Sequence, residues 1–231
     1  MKKPPFINNE IYHIYNRGVE KRSIFKDDAD RFRFIHDLFE FNDQEPATNV
    51  QYRFHKHGSK TQSKNDKSPR KLLIEILALC LMPNHYHLLV RQKKQKGVIN
   101  FMQKFGTGYT LYFNQRHSRV GPLFQGRFKA VLISEHKHIL YLPHYIHLNP
   151  LDLNAPQWRE RSIKNYNNAI KFLETYRWSS LLDYLGQKNF PSLTSRAFLL
   201  ELFGGGEKYK EDLATYLSGI NLESIQDLLL E

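Results

Sequence analysis

The run from Leu72 to Leu81 (LLIEILALCL) is almost continuously apolar, stops at Met82-Pro83-Asn84, and resumes at once from His85 to Val90 (HYHLLV). Periodicity alone fits such runs to strands or to a buried helix; their shortness and the Pro-Asn turn between them select two strands paired as a hairpin. The chain has material for a core around it. It has 231 residues, 41% hydrophobic and 13% aromatic, which suits one large domain, or one with an appendage, and argues against overall disorder.

The remaining segments fall into order around the hairpin. Glu10 to Asn16 (EIYHIYN) is short, aromatic and β-branched, ends at Arg17-Gly18, and reads as a strand. A helix follows, with Asp27 or Asp28 as N-cap and Phe32, Ile35, Leu38 and Phe39 on one face. Residues 43–70 are polar and aperiodic and read as a long, mobile insertion loop. Val98 to about Asn114 reads as an amphipathic helix despite Gly106 and Gly108. After Gly121-Pro122, Arg127 to Ser134 reads as a strand, and Glu135 to Leu148 as a helix that stops at Asn149-Pro150, because proline disfavours helical geometry in the residue before it. The order β, α, ββ, α, β, α predicts the α+β class: a ferredoxin-like or RRM-like antiparallel sheet with helices on one face. Tyr176–Tyr184 and Lys208–Leu230 read as helices separated by a hinge or cap at Gly204-Gly205-Gly206. Residues 1–185 are expected to form the main domain and 186–231 a helical C-terminal extension.

Charge narrows the partner. The chain carries a net charge of +11. Residues 91–137 hold ten Lys or Arg against one acid, whereas residues 198–231 hold two against seven. A polyanion is the first partner to consider, and it should meet the middle of the chain. Aromatics interleave there with the charges, as platforms for unpaired bases would, although at helical spacing they equally serve a core. The single cysteine, Cys80, excludes an intrachain disulfide framework and Cys-rich zinc modules and fits a reducing cytoplasm. No stretch approaches the ~20 apolar residues needed to cross a bilayer, and no targeting segment is read.

Two groups of residues bear chemistry. In a strand, His85 and His87 project from one face while Tyr86 points to the other, so two imidazoles sit side by side at the edge of a buried hairpin. Two surface histidines would read the same way. Tyr145 and Asn149, spaced i, i+4, share one face of a helix; an ordinary helix end would too. Together the groups offer two neutral nitrogens, an amide oxygen and a phenol. Nitrogen and oxygen donors without thiolate suit Mg²⁺ or Mn²⁺ better than a closed zinc site. Two classes that do not need the tyrosine remain open: a metal phosphodiesterase that uses water as nucleophile, and a non-catalytic single-stranded nucleic-acid-binding protein on the same fold.

LMPNHYHLLV, FNQRHSRVGPLFQGRFKAVLI and YLPHYIHLNP, in this order, with YHIYNRG before them and YRWSS after, resemble the IS200-like Y1 transposases, and especially the REP-associated tyrosine transposases. The resemblance spans roughly residues 9–185. These proteins belong to the HUH superfamily, named for two histidines flanking a hydrophobic residue, here Tyr86. The resemblance implies the HUH nuclease fold, His85 and His87 as metal ligands with Asn149 as the third, and Tyr145 as the nucleophile. It implies nicking and rejoining of single-stranded DNA with hairpin ends through a 5′-phosphotyrosine. Both a monomer and a homodimer, with Tyr145 acting in its own subunit or across the dimer, are compatible with it. Arg17, Lys104, Arg116, Arg119, Arg127 and Lys129 are the candidate DNA-binding residues, with Arg127 and Lys129 alternating on one strand face. His13 is expected to be a histidine packed at the edge of the sheet. The loop holds a second His-x-His, His55 and His57, which a flexible segment would not preorganise.

Overall fold

The structure is a computed structural model that describes residues 4–47, 70–160 and 162–219. Four strands, β1 (Ile11–Arg17), β2 (Ile74–Met82), β3 (His85–Gln92) and β4 (Lys129–Leu132), form one sheet in the order β2-β3-β1-β4, with every pairing antiparallel. β2 and β3 are the expected hairpin, turning at Pro83-Asn84. Helices α1 (Asp28–Glu40), α2 (Gly97–Arg116) and α3 (His136–Leu148) lie where apolar spacing puts them, so the ferredoxin-like α+β order is borne out. The expectation of helices on one face is not: α1 and α2 cover one face of the sheet and α3 the other, because strand alternation makes both faces apolar.

Alternation along the strands divides the apolar side chains between two cores. Tyr12, Ile14, Tyr86, Leu88 and Val90 pack with Phe34 and Leu38 of α1 and with Phe101, Phe105, Tyr109 and Phe113 of α2. Phe34 is the hub, edge-on to Phe105 at 4.6 Å and to Tyr109 at 4.9 Å. These aromatics of α2 are therefore core and not base-stacking platforms. α1 starts at Asp27, whose carboxylate accepts from the Asp30 N–H, and fully buried Asp30 pairs with Arg116 and His117 of the neighbouring segment.

The opposite face carries the second core. Leu77, Ala78, Cys80 and Leu89 pack with Leu142, Tyr145 and Ile146 of α3 and with Leu199, Phe203, Tyr209 and Leu213. The last four belong to α6 (Ala197–Phe203) and α7 (Gly206–Gly219), which follow α4 (Tyr166–Leu173) and α5 (Leu181–Tyr184). Within the C-terminal extension α6 and α7 are helical and pack with α3, whereas residues 186–196 are irregular. Gly204 caps α6 at φ +76°, so the glycine run is a cap. His147 ties the layers together through Tyr209 Oη at 2.6 Å and Ser180 Oγ at 2.7 Å.

Three local expectations change. The last strand begins at Lys129, so Arg127 lies in the bend before it and does not alternate with Lys129 on a strand face. Tyr176–Ser180 is not helical: β2 is an edge strand with unpaired backbone groups, and this segment satisfies them through Leu81 N–H to Trp178 O (2.8 Å) and Ser180 N–H to Leu79 O (3.0 Å). α4 and α6 stand in segments read without periodicity, the first capped by Asn165, which accepts from the Asn168 N–H. Residues 48–69 of the expected loop, with His55 and His57, and residues 220–230 of the expected last helix lie outside the described residues. Among those described, no helix is long and apolar enough to cross a membrane.

The two glycines of α2 differ in their surroundings. A Cβ on Gly108 would stand 2.4 Å from the buried Phe41 ring, whereas one on Gly106 meets nothing within 4 Å. Gly106→Ala should therefore stabilise the protein by roughly 0.5–1 kcal/mol, and Gly108→Ala should destabilise it by about 1 kcal/mol or more, despite identical chemistry. Urea denaturation midpoints of the two variants test the opposite signs.

Candidate active site

β1 and β3 pair so that Tyr15 stands opposite His87 and Arg17 opposite His85. Period two then gathers His13, Tyr15, Arg17, His85 and His87 on the second face of the sheet. His13 is not at the sheet edge. β1 is an internal strand, and His13 Nε2 lies 2.9 Å from His87 Nδ1 with the two rings stacked. His85 Nδ1 donates to Asn84 Oδ1 at 2.7 Å, and Asn84 in turn donates to the Lys21 carbonyl at 3.1 Å. Each imidazole is thus engaged through Nδ1; for His85, whose Nδ1 donates to an amide oxygen, Nε2 carries the lone pair that a ligand would need.

Burial keeps these rings neutral. Desolvation pushes His85 down to about 4 and His87 well below its ordinary value. Nε2 of His85 is buried with no hydrogen-bond partner, an arrangement that costs stability unless something binds there.

Tyr145 reaches the same place from α3. Its ring meets the His87 ring edge-on, centroids 5.9 Å apart. Asn149 caps α3 one turn later and donates to the Tyr145 carbonyl at 2.8 Å, which holds its amide against the helix end. The i, i+4 spacing therefore does put phenol and amide on one side, and both residues are fully buried. Among the described residues there is no group of three or more His, Cys, Asp or Glu that could hold a metal. A cation at the histidine pair would have to take an oxygen of another kind. Two neutral imidazoles and the Asn149 amide oxygen fit a hard divalent cation in donor chemistry, with open positions left for phosphate oxygens.

Two residues that the sequence did not suggest complete the site. Arg159, from a 3₁₀ turn at Pro156–Glu160, donates from one terminal nitrogen to Tyr145 Oη at 3.1 Å and from the other to Asn149 Oδ1 at 3.3 Å. Asp152 accepts from its Nε (3.0 Å) and its second terminal nitrogen (2.8 Å). Neither segment is periodic or carries a motif, so no sequence signal marks them.

The candidate DNA-binding residues separate. Arg17 and Lys129 line a cleft of about 300 Å³ with His85, His87, Tyr15, Lys21 and Gln125, and Arg17 is held there by Gln125 Oε1 at 2.5 Å. Arg127 is exposed and lines a different groove, between α2 and the loop at Pro122–Phe128. Lys104 donates to the carbonyls of Asp43 and Glu45, Arg116 pairs with Asp27 and Asp30, and Arg119 bonds Asn114 and the Pro122 carbonyl. These three hold the α2 layer together and do not reach the histidine cleft.

Burial also pushes His144 down to about 4 and His147 to about 3. Unfolded, each histidine takes up a proton near 6.5; folded, it resists protonation to much lower pH. Stability should therefore be full above about pH 7 and fall as pH drops from 6.5 towards 4, at a slope approaching about 1.4 kcal/mol per pH unit for each such histidine. Urea unfolding measured across this range should give that direction, and His144→Leu should flatten the slope.

Residues 48–149 match the family model of IS200-like transposases. No curated protein matches the chain. Among solved structures, it is similar to a REP-associated tyrosine transposase bound to a REP hairpin, with a TM-score of 0.52 and 12% identity over 85% of this chain and 94% of that one. At that identity the likeness establishes the fold. The resemblance to IS200-like transposases is thus borne out by a family model over the stretch that contains both histidines, the tyrosine and the asparagine, on a fold shared with a REP-associated tyrosine transposase.

Proposed function

We propose that this protein is a DNA transposase that nicks and rejoins single-stranded DNA at hairpin-bearing ends, with Tyr145 as nucleophile. One juxtaposition carries the reading: the Tyr145 ring packs against His87, beside His85, and Asn149 follows on the same helix end. A binding module has no chemical need of that set. The family match, and a structural relative named for its bound REP hairpin, support the substrate class.

The reaction balances without an oxidant or a second substrate. Tyr145 Oη attacks the phosphorus, the bond from phosphorus to the 3′-oxygen breaks, and the phenolic proton is lost as the 3′-oxygen gains one. The products are a 5′-phosphotyrosyl strand and a free 3′-hydroxyl. The covalent link retains the phosphodiester energy, so a new 3′-hydroxyl can reverse the step without ATP. His85, His87 and Asn149 would hold Mg²⁺ or Mn²⁺, which when bound supplies positive charge to the phosphate oxygens. His13 and Asn84 keep the two imidazoles oriented, and Arg17, Lys21 and Lys129 bind backbone phosphates along the cleft. Lys104, Arg116, Arg119 and Arg127 could reach DNA only outside that cleft. The protein would act in the cytoplasm, as a monomer or a homodimer.

The test uses a pool of single-stranded oligonucleotides, each with a short hairpin and randomised flanks, incubated with Mg²⁺ or Mn²⁺. A protein–DNA adduct that survives denaturation is expected. It should vanish in Tyr145→Phe and with EDTA, and fall by about 100-fold or more in His87→Ala. Cleavage without an adduct would assign water as the nucleophile, and salt-sensitive binding without cleavage would assign a binding module.

A further inference from the structure

We infer that Arg159 is a further catalytic residue, the guanidinium that meets the phosphate attacked by Tyr145, and that Asp152 is its positioning residue. The inference rests on the transposase reading above. A phosphate about to be attacked lies roughly 3–3.5 Å from the nucleophilic oxygen. Arg159 already donates to that oxygen at 3.1 Å, so its guanidinium is within hydrogen-bonding reach of the same phosphate's oxygens. Guanidinium matches a phosphate in geometry and charge better than any other side chain.

The group is held rigidly. Asp152 takes Nε and one terminal nitrogen, which fixes the plane of the fork and turns the other terminal nitrogen towards Tyr145. The Trp158 ring backs the guanidinium at 4.8 Å, and its indole N–H donates to the same Asp152 oxygen at 2.6 Å. A donor fixed before the reaction needs no reorganisation as charge develops on the phosphate, which is the condition under which such donors accelerate transfer most. Arg159 is also the route outward. Tyr145 is fully buried, while the Arg159 side chain lying on its hydroxyl is 25% exposed.

The experiment measures single-turnover adduct formation and DNA affinity separately, on one oligonucleotide recovered from the pool. Arg159→Ala should slow adduct formation at saturating DNA by about 100-fold or more, with affinity changed by only a few-fold. Free guanidinium should restore part of that rate. Arg159→Lys should remain slow because an ammonium lacks the planar fork, and Asp152→Asn should be intermediate. A wild-type rate in Arg159→Ala overturns the inference. So does a lower rate that tracks a lower melting temperature and is not rescued by guanidinium, since that pattern marks a purely structural arginine. If Arg159→Ala is insoluble, Arg159→Lys decides: a slow rate with an unchanged melting temperature supports the role, and a wild-type rate overturns it. Failure of the transposase reading looks different: no wild-type adduct, or an adduct that persists in Tyr145→Phe.

Discussion

The pairing register of β1 with β3 governs where every polar group of the site lies. Tyr15 opposite His87 and Arg17 opposite His85 put three side chains of β1 and two of β3 on one face, while Tyr12, Ile14, Tyr86 and Leu88 enter the aromatic core on the other. A slip of one residue in either strand would exchange these sets, burying imidazole and guanidinium among phenylalanines. The apolar face therefore enforces the register, and the register builds the site. β1 lies between β3 and β4, so the site occupies rigid internal strands and not an edge.

A second layer of polar contacts converts placement into orientation. His13 addresses Nδ1 of His87, Asn84 addresses Nδ1 of His85, and Asp152 addresses Arg159. Each is itself fixed: His13 by its strand, Asn84 by the Lys21 carbonyl and Asp152 by the Trp158 indole. In a buried site such contacts matter more than at a surface, because a misdirected polar atom there has no water to satisfy it.

Positive charge is divided between folding and function in a way that net charge conceals. Arg116, Arg119 and Lys104 stand in the most basic part of the chain, yet acids, carbonyls and an asparagine of the α1 and α2 layer engage them. Arg17, Lys21 and Lys129, from separate segments, line a cleft that contains both histidines. Only proximity in space selects these three.

What the chain determines by itself is local. The Pro-Asn turn between two apolar runs specifies the hairpin, alternation sets His85 and His87 on one face, and the i, i+4 spacing sets Tyr145 with Asn149; each follows from backbone geometry over a few residues, and the motifs carry the family resemblance. Tertiary structure decides what has no local period. It turns Tyr176–Ser180 away from helix to satisfy the bare edge of β2, begins β4 at Lys129 where pairing with β1 begins, and makes His13 an internal partner of His87. It also brings Arg159 and Asp152 onto Tyr145 from irregular 3₁₀ turns. A hydrogen bond between distant segments depends on how layers stack, and stacking is a property of the whole core and not of any window of sequence.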